Sequence, residues 1–368
     1  MKTTKPQGAL NRRSFMAGSA AAASYLVIRP DGANAAGWPE KPVNVVIMYA
    51  AGGGTDVVIR LIAQEMAKAK GWKVEPINKP GAVGGIATNY VLQQPADGYT
   101  LLGAANFNKF VRVMGHSTSK TWEEWTVMQA AASLASWSVR AESEFKSADD
   151  MVKWAKANPG KLTISTSGTG GLWQELAMQV ADRLDIDVKY VPYKGGKPAT
   201  LAGLQGEVMV AGGGVHEHIE LVRAGKLRNL FHCGTSDIKL KDGKVLHSLG
   251  TLVPAAKSLL PAGGTYNLMM RRTVPIAVQK QVTEAFTAAI NSEAFKKVAA
   301  SKYFEIEILT GEAADKKAAR LEAQTADLFN KYQKAIGAKV KTGKELGLPD
   351  PKDFEKWWPP KDYKPVGV

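Results

Sequence analysis

The sequence predicts an α/β protein of two lobes, each a mainly parallel sheet flanked by helices. Short apolar runs, typical of strands covered on both faces, alternate with amphipathic helical segments. Glycine-rich turns separate several of these runs from the following helix, and the alternation occurs in two consecutive series. Repeated strand–loop–helix units indicate parallel strands with right-handed crossovers. A mature chain of about 330 residues is long enough for two cores.

The first series predicts three strands and two helices. Its first strand ends at the glycine-rich residues 52–56, where Thr55 or Asp56 is expected to cap the next helix. The apolar side chains of that helix fall on one face. The predicted elements are a strand over 43–49, a helix over 57–69, a strand over 73–77, a glycine-rich turn over 78–85, a helix over 86–93 and a strand over 99–103.

The second series begins near Ser136, and the last third of the chain is expected to return and complete the first lobe. Ser147 is expected to begin a helix with two acidic residues in its first turn. The tail from Pro349 is expected to be an irregular strap held by its aromatic residues. The predicted strands are 137–140, 162–165, 188–191, 208–211 and 227–233, and the predicted helices are 147–157, a segment from Gly171 to about 184, 199–204, 217–224, 275–291, 292–301 and 312–336.

The first 35 residues are interpreted as an export signal that the mature protein lacks. Residues 11–16 carry a twin-arginine pattern, an apolar run follows over 17–28, and the Ala-Asn-Ala triplet that ends at Ala35 offers a cleavage site. The apolar run is too short to cross a bilayer of about 30 Å as a helix. The sequence therefore predicts a protein that is exported by either the twin-arginine or the general route.

The charge balance favours an anionic ligand or surface. The full chain has a formal charge of +14, and removal of residues 1–35 takes away five basic and one acidic side chain, which leaves +10. A basic protein attracts anions through its overall field. Nucleic acid is the alternative anionic partner, but no run of Lys and Arg interleaved with aromatic residues occurs. We therefore expect no nucleic-acid binding.

Three glycine-rich segments, at 52–56, 78–85 and 166–171, each lie between a strand and a helix. A helix N-terminus has about four unpaired backbone N–H groups and about half a positive charge, and glycine lets an anion approach that backbone. Any one segment could be an ordinary turn, but three at the carboxyl ends of strands favour a ligand cleft. A nucleotide is not expected, because neither G-x-G-x-x-G nor a P-loop pattern is present.

No residue pattern predicts catalysis or a metal site. The G-x-S-x-G pattern of serine hydrolases is absent. His216 and His218 are two residues apart near a predicted helix start, which does not place both on one helix face, so we interpret them as solvent-exposed loop histidines. Cys233 ends an apolar run and is expected to be buried in a strand. We expect no cofactor, no metal and no enzymatic activity; an exported α/β enzyme acting on a small carboxylate is the alternative.

A set of short segments occurs in a recognisable order. They are WPEKP at 38–42, YAAGGGTD at 49–56, NKPGA at 78–82 with GGI at 84–86, DGYTLL at 97–102, ANPGKL at 157–162 with STSGTGG at 165–171, VPYKG at 191–195 and AGKLR at 224–228. Together they make the sequence resemble the substrate-binding proteins of tripartite tricarboxylate transporters, also called the Bug family. The resemblance covers about residues 38–235; each segment alone is a weak signal.

The resemblance implies a periplasmic protein whose two α/β lobes close on a ligand like a flytrap. It implies lobes over 36–136 with 265–345 and over 137–264, followed by a C-terminal strap over 346–368. The ligand is expected to be a small organic carboxylate held largely by backbone N–H groups, and the partners to be the membrane components of a transporter, or a sensor. The implied ligand-binding residues are Tyr49, Ala51, Gly52, Gly53, Gly54, Thr55, Asp56, Gly84, Gly85, Ile86, Ala105, Ser165, Ser167, Gly168, Thr169, Lys194, Gly195, Gly212 and Gly213.

Three departures from the family pattern bear on the ligand. The usual asparagine is missing at Gly85. The family often has Phe-Asp after the strand over 208–211, whereas this chain has three glycines over 212–214, so the usual acid is absent. Residues 104–119, which should line the cleft, are also unlike the family. We therefore expect a ligand that is larger or more apolar than a small amino acid and that carries at least one carboxylate.

Overall fold

The computed structural model describes residues 37–366, and the predicted export signal lies outside these residues. Among them, no helix is long and apolar enough to cross a membrane. Strands and helices alternate along most of this range, which confirms the α/β class.

Strands and helices follow one another along the chain with the following bounds. The strands are β1 (Val43–Ile47), β2 (Val74–Asn78), β3 (Thr100–Ala105), β4 (Trp125–Ala132), β5 (Ala135–Arg140), β6 (Leu162–Thr166), β7 (Val188–Pro192), β8 (Ala211–Gly214), β9 (Leu227–His232), β10 (Ile238–Lys239), β11 (Val245–Leu246), β12 (Thr265–Arg271) and β13 (Glu305–Leu309). The helices are α1 (Gly54–Lys70), α2 (Gly85–Leu92), α3 (Phe110–Val113), α4 (Thr121–Glu124), α5 (Ala148–Ala157), α6 (Leu172–Leu184), α7 (Gly196–Gln205), α8 (Val215–Arg223), α9 (Leu249–Leu252), α10 (Ile276–Asn291), α11 (Glu293–Lys302), α12 (Gly311–Lys331), α13 (Gln333–Ile336), α14 (Gly343–Leu346) and α15 (Phe354–Trp357).

The larger sheet has the strand order β13-β4-β12-β3-β1-β2. β1 is parallel to β2 and β3, whereas the β3–β12, β12–β4 and β4–β13 pairs are antiparallel. The sheet is therefore mixed, and the prediction of a mainly parallel sheet was wrong. The reason is that β12 enters the sheet after a long excursion of the chain, so its direction is set by that return and not by a local strand–helix–strand unit. We call this sheet and its helices the first sheet region.

Helices cover the first sheet, which is why its central strands are apolar on both faces. In β1 every residue except Asn44 is buried. α1 packs on β1, β3 and β12 and against α10, and α12 packs on β4. The apolar run of β1 and the one-sided apolar face of α1 are thus two parts of the same core.

The second sheet region contains the strands between β4 and β12. β5 lies between β8 and β9 and is antiparallel to both, while β6 and β7 are parallel. A single parallel bridge joins Ile164 of β6 to Val210, next to β8. This region is also mixed instead of mainly parallel.

The glycines predicted to follow a strand lie within β8. Gly212 pairs with Trp137 and Gly213 with Ser136 of β5. A Cβ on Gly212 would meet the backbone oxygen of Ser165, so the site has no room for a side chain. The close approach of a second backbone explains why residues of low strand propensity occupy a strand here.

The two sheet regions are joined where β4 leads to β5 and where the chain returns to β12. The backbone of Ser133 donates to Gly264 at 2.7 Å, and that of Ala135 donates to Ala262 at 2.9 Å, so the two crossings are paired with each other. The lobe boundaries implied by the family resemblance stay a prediction. The tail from Pro349 contains the short helix α15, which was not predicted, and Trp357 of α15 packs edge-on against Trp122 at a ring distance of 6.4 Å.

Candidate ligand-binding site

A cavity lies between the first and second sheet regions. The first region contributes the turn after β1, the start of α1, the end of β3 and the start of β12. The second region contributes the loop after β6 and the first turns of α6, α7 and α8. The lining residues are Tyr49, Gly53, Gly54, Thr55, Ala105, Asn106, Ser167, Leu172, Trp173, Gly196, Glu217, Gly264 and Tyr266.

Four helices begin at this cavity. Gly54, Leu172 and Gly196 are the first residues of α1, α6 and α7, and Glu217 is the third residue of α8. Each helix N-terminus carries a partial positive charge and N–H groups without intrahelical partners. Their convergence makes the cavity a favourable place for an anion.

Asp56 occupies part of the N-terminus of α1. Its Oδ2 accepts the backbone N–H of Gly52 at 2.9 Å, and its Oδ1 accepts hydrogen bonds from Arg60 and Asn78 at 2.7 and 2.8 Å. Burial alone would raise the pKa of Asp56, but these hydrogen bonds together lower it. The residue that precedes the helix is Gly53, so the prediction that Thr55 or Asp56 is the N-cap was wrong. The Asp56 carboxylate instead turns back from the first helical turn to bind Gly52.

Glu217 places a second carboxylate at the same N-terminus. Its Oε1 accepts the N–H of Gly54 at 3.4 Å, and its Oε2 accepts the N–H of Gly214, next to its own helix, at 3.0 Å. Nε2 of His216 lies 3.7 Å from Oε1. Burial would raise the pKa of Glu217, but His216, His218 and the Gly214 N–H together lower it below its usual value. Glu217 is therefore a buried, charged carboxylate at neutral pH.

The histidines on either side of Glu217 point in different directions. His216 Nε2 is 3.0 Å from the hydroxyl of Tyr266, and His218 Nδ1 is 3.0 and 3.2 Å from the hydroxyls of Ser138 and Ser136. Both imidazoles are buried, so the interpretation as solvent-exposed loop histidines was wrong. The cause is tertiary: His218 packs against β5, whereas His216 lies among the rings of Trp173, Tyr266 and Phe304. Burial lowers the pKa of His218 to about 4.

Several glycines leave the space that the side chains of Glu217 and His216 fill. A Cβ on Gly196 would overlap Glu217, and one on Gly54 or Gly214 would overlap His216. A Cβ on Gly213 would lie 2.9 Å from Oε2 of Glu217. The acid that the sequence lacks at Gly213 is thus supplied in space by a residue four positions later.

The cavity is small in this arrangement. Its volume of about 30 Å³ is the space of about two water molecules, well below the several hundred Å³ of most ligand sites. Direct contacts between the two regions explain the size, since Ala50 N donates to Lys194 O at 3.4 Å and Gly54 N to Glu217. The two regions are therefore in direct contact beside the cavity.

Comparisons with known proteins bear on what this cavity serves. Residues 58–336 match the family described as "Tripartite tricarboxylate transporter family receptor", TctC. The chain belongs to this family of solute-binding proteins.

Solved structures share the fold of this TctC-family chain. The periplasmic binding protein BugD superposes with a TM-score of 0.73 at 21% identity, over 82% of this chain and 99% of BugD. An R. palustris protein with adipate gives 0.69 at 22% identity, over 83% and 99%. MatC from Rhodopseudomonas palustris with bound malate gives 0.66 at 19% identity, over 81% and 100%. These likenesses confirm the two-lobed periplasmic-binding-protein fold.

Sequence relatives match over a shorter range. A UPF0065 protein from Cupriavidus necator is 34% identical over 209 residues, which cover 54% of this chain and 63% of that protein. Protein BugT from Bordetella pertussis is 27% identical over 52% of this chain and 60% of its own length. The matches therefore cover less than two thirds of the length of these relatives.

Some of the predicted ligand-binding residues lie together at the cavity and others lie outside it. Ser165 accepts the N–H of Gly212 at 3.1 Å beneath the cavity lining, and Ile86 is exposed on α2. The predicted residues that line the cavity are Tyr49, Gly53, Gly54, Thr55, Ala105 and Ser167. Those that do not are Ala51, Gly52, Asp56, Gly84, Gly85, Ile86, Ser165, Gly168, Thr169, Lys194, Gly195, Gly212 and Gly213.

The other lining residues were not named individually as ligand-binding residues. Glu217 had a local signal, since a glutamate three residues after Gly214 matches a helix-start pattern in which the glutamate side chain binds the cap N–H. Gly196 adjoins the predicted Gly195. Tyr266 reaches the cavity only because β12 pairs with β3, which no local pattern indicates. Asn106 lies within residues 104–119, which were expected to line the cleft. The lining residues that were missed are Leu172, Trp173, Gly196, Glu217, Gly264 and Tyr266.

The described residues give no support for catalysis by a metal ion or by a thiol. Among residues 37–366, no group of three or more His, Cys, Asp or Glu side chains is arranged to hold a metal ion. Cys233 is buried, as predicted, but it lies one residue beyond the end of β9 and not in the strand, and burial raises the pKa of its thiol to about 12. A thiol with so high a pKa is a poor nucleophile.

Proposed function

We propose that this protein is a periplasmic solute-binding protein that captures a small organic carboxylate for the membrane components of a tripartite tricarboxylate-type transporter. The convergence of the N-termini of α1, α6, α7 and α8 on one cavity carries the proposal. Backbone N–H groups and helix dipoles bind a carboxylate without a dedicated arginine. In keeping with this, neither arginine nor lysine is among the described residues that line the cavity.

The chemistry of the ligand follows from the lining residues and from two relatives. The structures with adipate and with malate come from proteins of the same fold, and both ligands are dicarboxylates. In this chain Tyr49, Leu172, Trp173 and Tyr266 give the cavity apolar and aromatic surface. We therefore propose an acid with an apolar body that is larger than a small amino acid.

Binding requires the cleft to open, because a dicarboxylate does not fit in about 30 Å³. We propose that the two sheet regions are the lobes that separate, and that they rotate about the paired crossings at Ser133–Gly264 and Ala135–Ala262. Short paired crossings of this kind can absorb a change of angle while each sheet stays intact. Closure then buries the acid against the four helix N-termini.

Export, partner and lack of catalysis complete the proposal. Residues 1–35 would direct the chain to the periplasm, where the mature protein, with its formal charge of +10, would collect anionic acids. The membrane components of the transporter would receive the ligand from the closed form. The protein would release the acid chemically unchanged.

Isothermal titration calorimetry on the mature chain tests the proposal. Malate, succinate, adipate and benzoate should be titrated beside aspartate and glutamate, and small molecules that co-purify should be identified by mass spectrometry. We expect at least one organic acid to bind and to raise the melting temperature without being converted. Tight binding of aspartate or glutamate alone would contradict the proposed ligand, and formation of a product would favour an enzyme.

A further inference from the structure

The N-terminus of α1 is bound by a carboxylate from the opposite sheet region. Glu217 belongs to α8 of the second region, and its Oε1 accepts the N–H of Gly54 in the first region. Nearby, Ala50 N donates to Lys194 O across the same cleft, and the Tyr266 hydroxyl of the first region lies 3.0 Å from Nε2 of His216. Glu217 therefore brings a negative charge to the point where the helix dipole of α1 is strongest.

The position of Glu217 is built into the chain. Glycines at positions 54, 196 and 214 leave the room that Glu217 and His216 occupy, and a Cβ at Gly196 would overlap the carboxylate. Oε2 is held by Gly214. The carboxylate thus has fixed partners on both sides of the cleft.

A second group at the cavity points to a ligand. Tyr49 lines the cavity and is 91% buried, and its hydroxyl has no hydrogen-bond partner among residues 37–366. A buried hydroxyl without a partner costs free energy. A ligand oxygen in the cavity would satisfy it.

We propose that Glu217 is an internal carboxylate that takes the place of a ligand carboxylate at Gly54 and holds the cleft closed until an acid displaces it. This inference rests on the proposed function. Glu217 and a ligand carboxylate cannot share this site, since two like charges in contact repel each other strongly in a buried setting. The small volume of the cavity also excludes both at once.

Displacement makes Glu217 a determinant of affinity and specificity. A ligand must bind α1 better than the tethered carboxylate does, so a weak or singly contacting acid is rejected. Once the acid is bound, the Glu217 carboxylate leaves Gly54 but keeps its bond to Gly214. The cleft is then held closed by the ligand.

The test uses the mature chain with the variants Glu217→Gln and Glu217→Ala. Glu217→Gln keeps the shape and removes the charge, while Glu217→Ala removes the hydrogen bond to Gly54. Glu207→Gln is the matched control, because Glu207 also belongs to the second region, is exposed and accepts a hydrogen bond from Tyr193 of the same region. Small-angle X-ray scattering without ligand measures closure, and calorimetry with malate, succinate and adipate measures affinity.

We expect the ligand-free Glu217→Ala protein to have a larger radius of gyration than the wild type and Glu207→Gln. We also expect both Glu217 variants to bind the acids about tenfold more tightly or better, because the competing charged hydrogen bond is gone. An unchanged radius of gyration would overturn the proposal whether or not an acid binds. Unchanged or weaker binding would also overturn it, since Glu217 would then assist the ligand.

The two proposals can fail separately. If no acid binds to any variant while the radius of gyration increases in Glu217→Ala, the proposed function is contradicted and Glu217 is supported as the group that closes the cleft. If the acids bind equally well to all variants, the proposed function stands and the role of Glu217 is wrong.

Discussion

Oε1 of Glu217 accepts a hydrogen bond from the backbone N–H of Gly54 at 3.4 Å, although 163 residues separate them in the chain. The two residues lie in the first turns of α8 and α1, whose N-termini face each other across the cavity. Two helix N-termini of the same sign would repel each other without an anion between them. The carboxylate therefore makes close approach of the two sheet regions electrostatically favourable.

Gly196→Ala tests whether α7 must leave room for Glu217. A Cβ at this position overlaps the carboxylate, although the backbone of Gly196 is outside the left-handed region and suits alanine. We expect the free energy of unfolding to fall by about 1–3 kcal/mol, as for other overpacked sites. Urea denaturation measures this loss.

The same experiment has two controls. Gly343→Ala also adds a methyl group at the first residue of a helix, but its nearest neighbour is Leu348 O at 3.6 Å, so stability should change little. The double variant Gly196→Ala with Glu217→Ala should recover most of the lost stability. If the stability losses of the two single variants simply added in the double variant, the methyl group at position 196 would not be clashing with Glu217.

Gly53→Leu tests the ligand site in the first region. Gly53 has φ −80° and ψ 171°, which any residue adopts. Its Cβ would point toward Lys197 N and Glu217 Oε1, at 3.6 and 3.8 Å, so a longer side chain enters the space between the two regions. We expect loss of acid binding by calorimetry, with a stability change of no more than about 1 kcal/mol from the altered helix cap.

Gly53→Ala is the matched control for that variant. An alanine Cβ makes only ordinary contacts here, so binding should persist with nearly the wild-type affinity. If Gly53→Leu bound the acid as tightly as Gly53→Ala, the ligand would have to lie elsewhere on the chain.

Elements with a local pattern were predictable from the sequence. The helix predicted over 57–69 is Gly54–Lys70, and the strand predicted over 73–77 is Val74–Asn78. Both have periodicities that follow from their own burial. β12 was not predicted, because it is buried on both faces and is defined by its pairing with β3 and β4. β13 (Glu305–Leu309) alternates glutamate with isoleucine, and this signal was available in the sequence.

The residues of the candidate site also fall into two groups, those that a local sequence pattern predicts and those that distant contacts place. Gly53 and Gly54 follow from the physics of a glycine-rich loop before a helix, which needs only neighbouring residues. Glu217 and Tyr266 reach the cavity through the packing of α8 and the return of β12, so their roles depend on contacts between distant segments. Backbone binding of carboxylates was expected for a ligand, and the structure uses it also for Asp56 and Glu217 of the chain itself.

His218 should make stability depend on pH. Its pKa is lowered from 6.5 to about 4 because burial disfavours the charged ring. As the pH falls below 6.5, the unfolded state binds a proton before the folded state does, so stability is complete above this pH and is lost progressively down to about pH 4. Between pH 7.5 and pH 5 the loss from this group should be about 2 kcal/mol.

Chemical denaturation at these two pH values, compared with His218→Gln, isolates the effect. Glutamine can still hydrogen-bond to Ser136 and Ser138 but does not titrate. The wild type should lose more stability than the variant on acidification. Equal losses of stability in the two proteins would show that the pKa of His218 is the same in the folded and unfolded states.

Lys109 and Glu175 form a buried ion pair between the two sheet regions. Nζ of Lys109 lies 2.7 Å from Oε2 of Glu175 on α6, their side chains are 8% and 5% exposed, and Thr325 donates to Oε1 of Glu175 at 2.7 Å. Lys109→Met would leave the Glu175 carboxylate buried with a single hydroxyl donor. Removal of one partner of such a pair costs about 3–5 kcal/mol.

Two comparisons distinguish the cost of burying an unpaired charge from the cost of losing an ion pair. Lys296→Met breaks a pair with Glu293 whose side chains are 49% and 91% exposed, so it should cost at most about 1 kcal/mol. In the double variant Lys109→Met with Glu175→Gln no charge is buried, so urea denaturation should show that much of the stability lost in Lys109→Met returns. If the double variant were as unstable as Lys109→Met, packing of the Lys109 side chain, and not the unpaired carboxylate, would be what joins α6 to the first region.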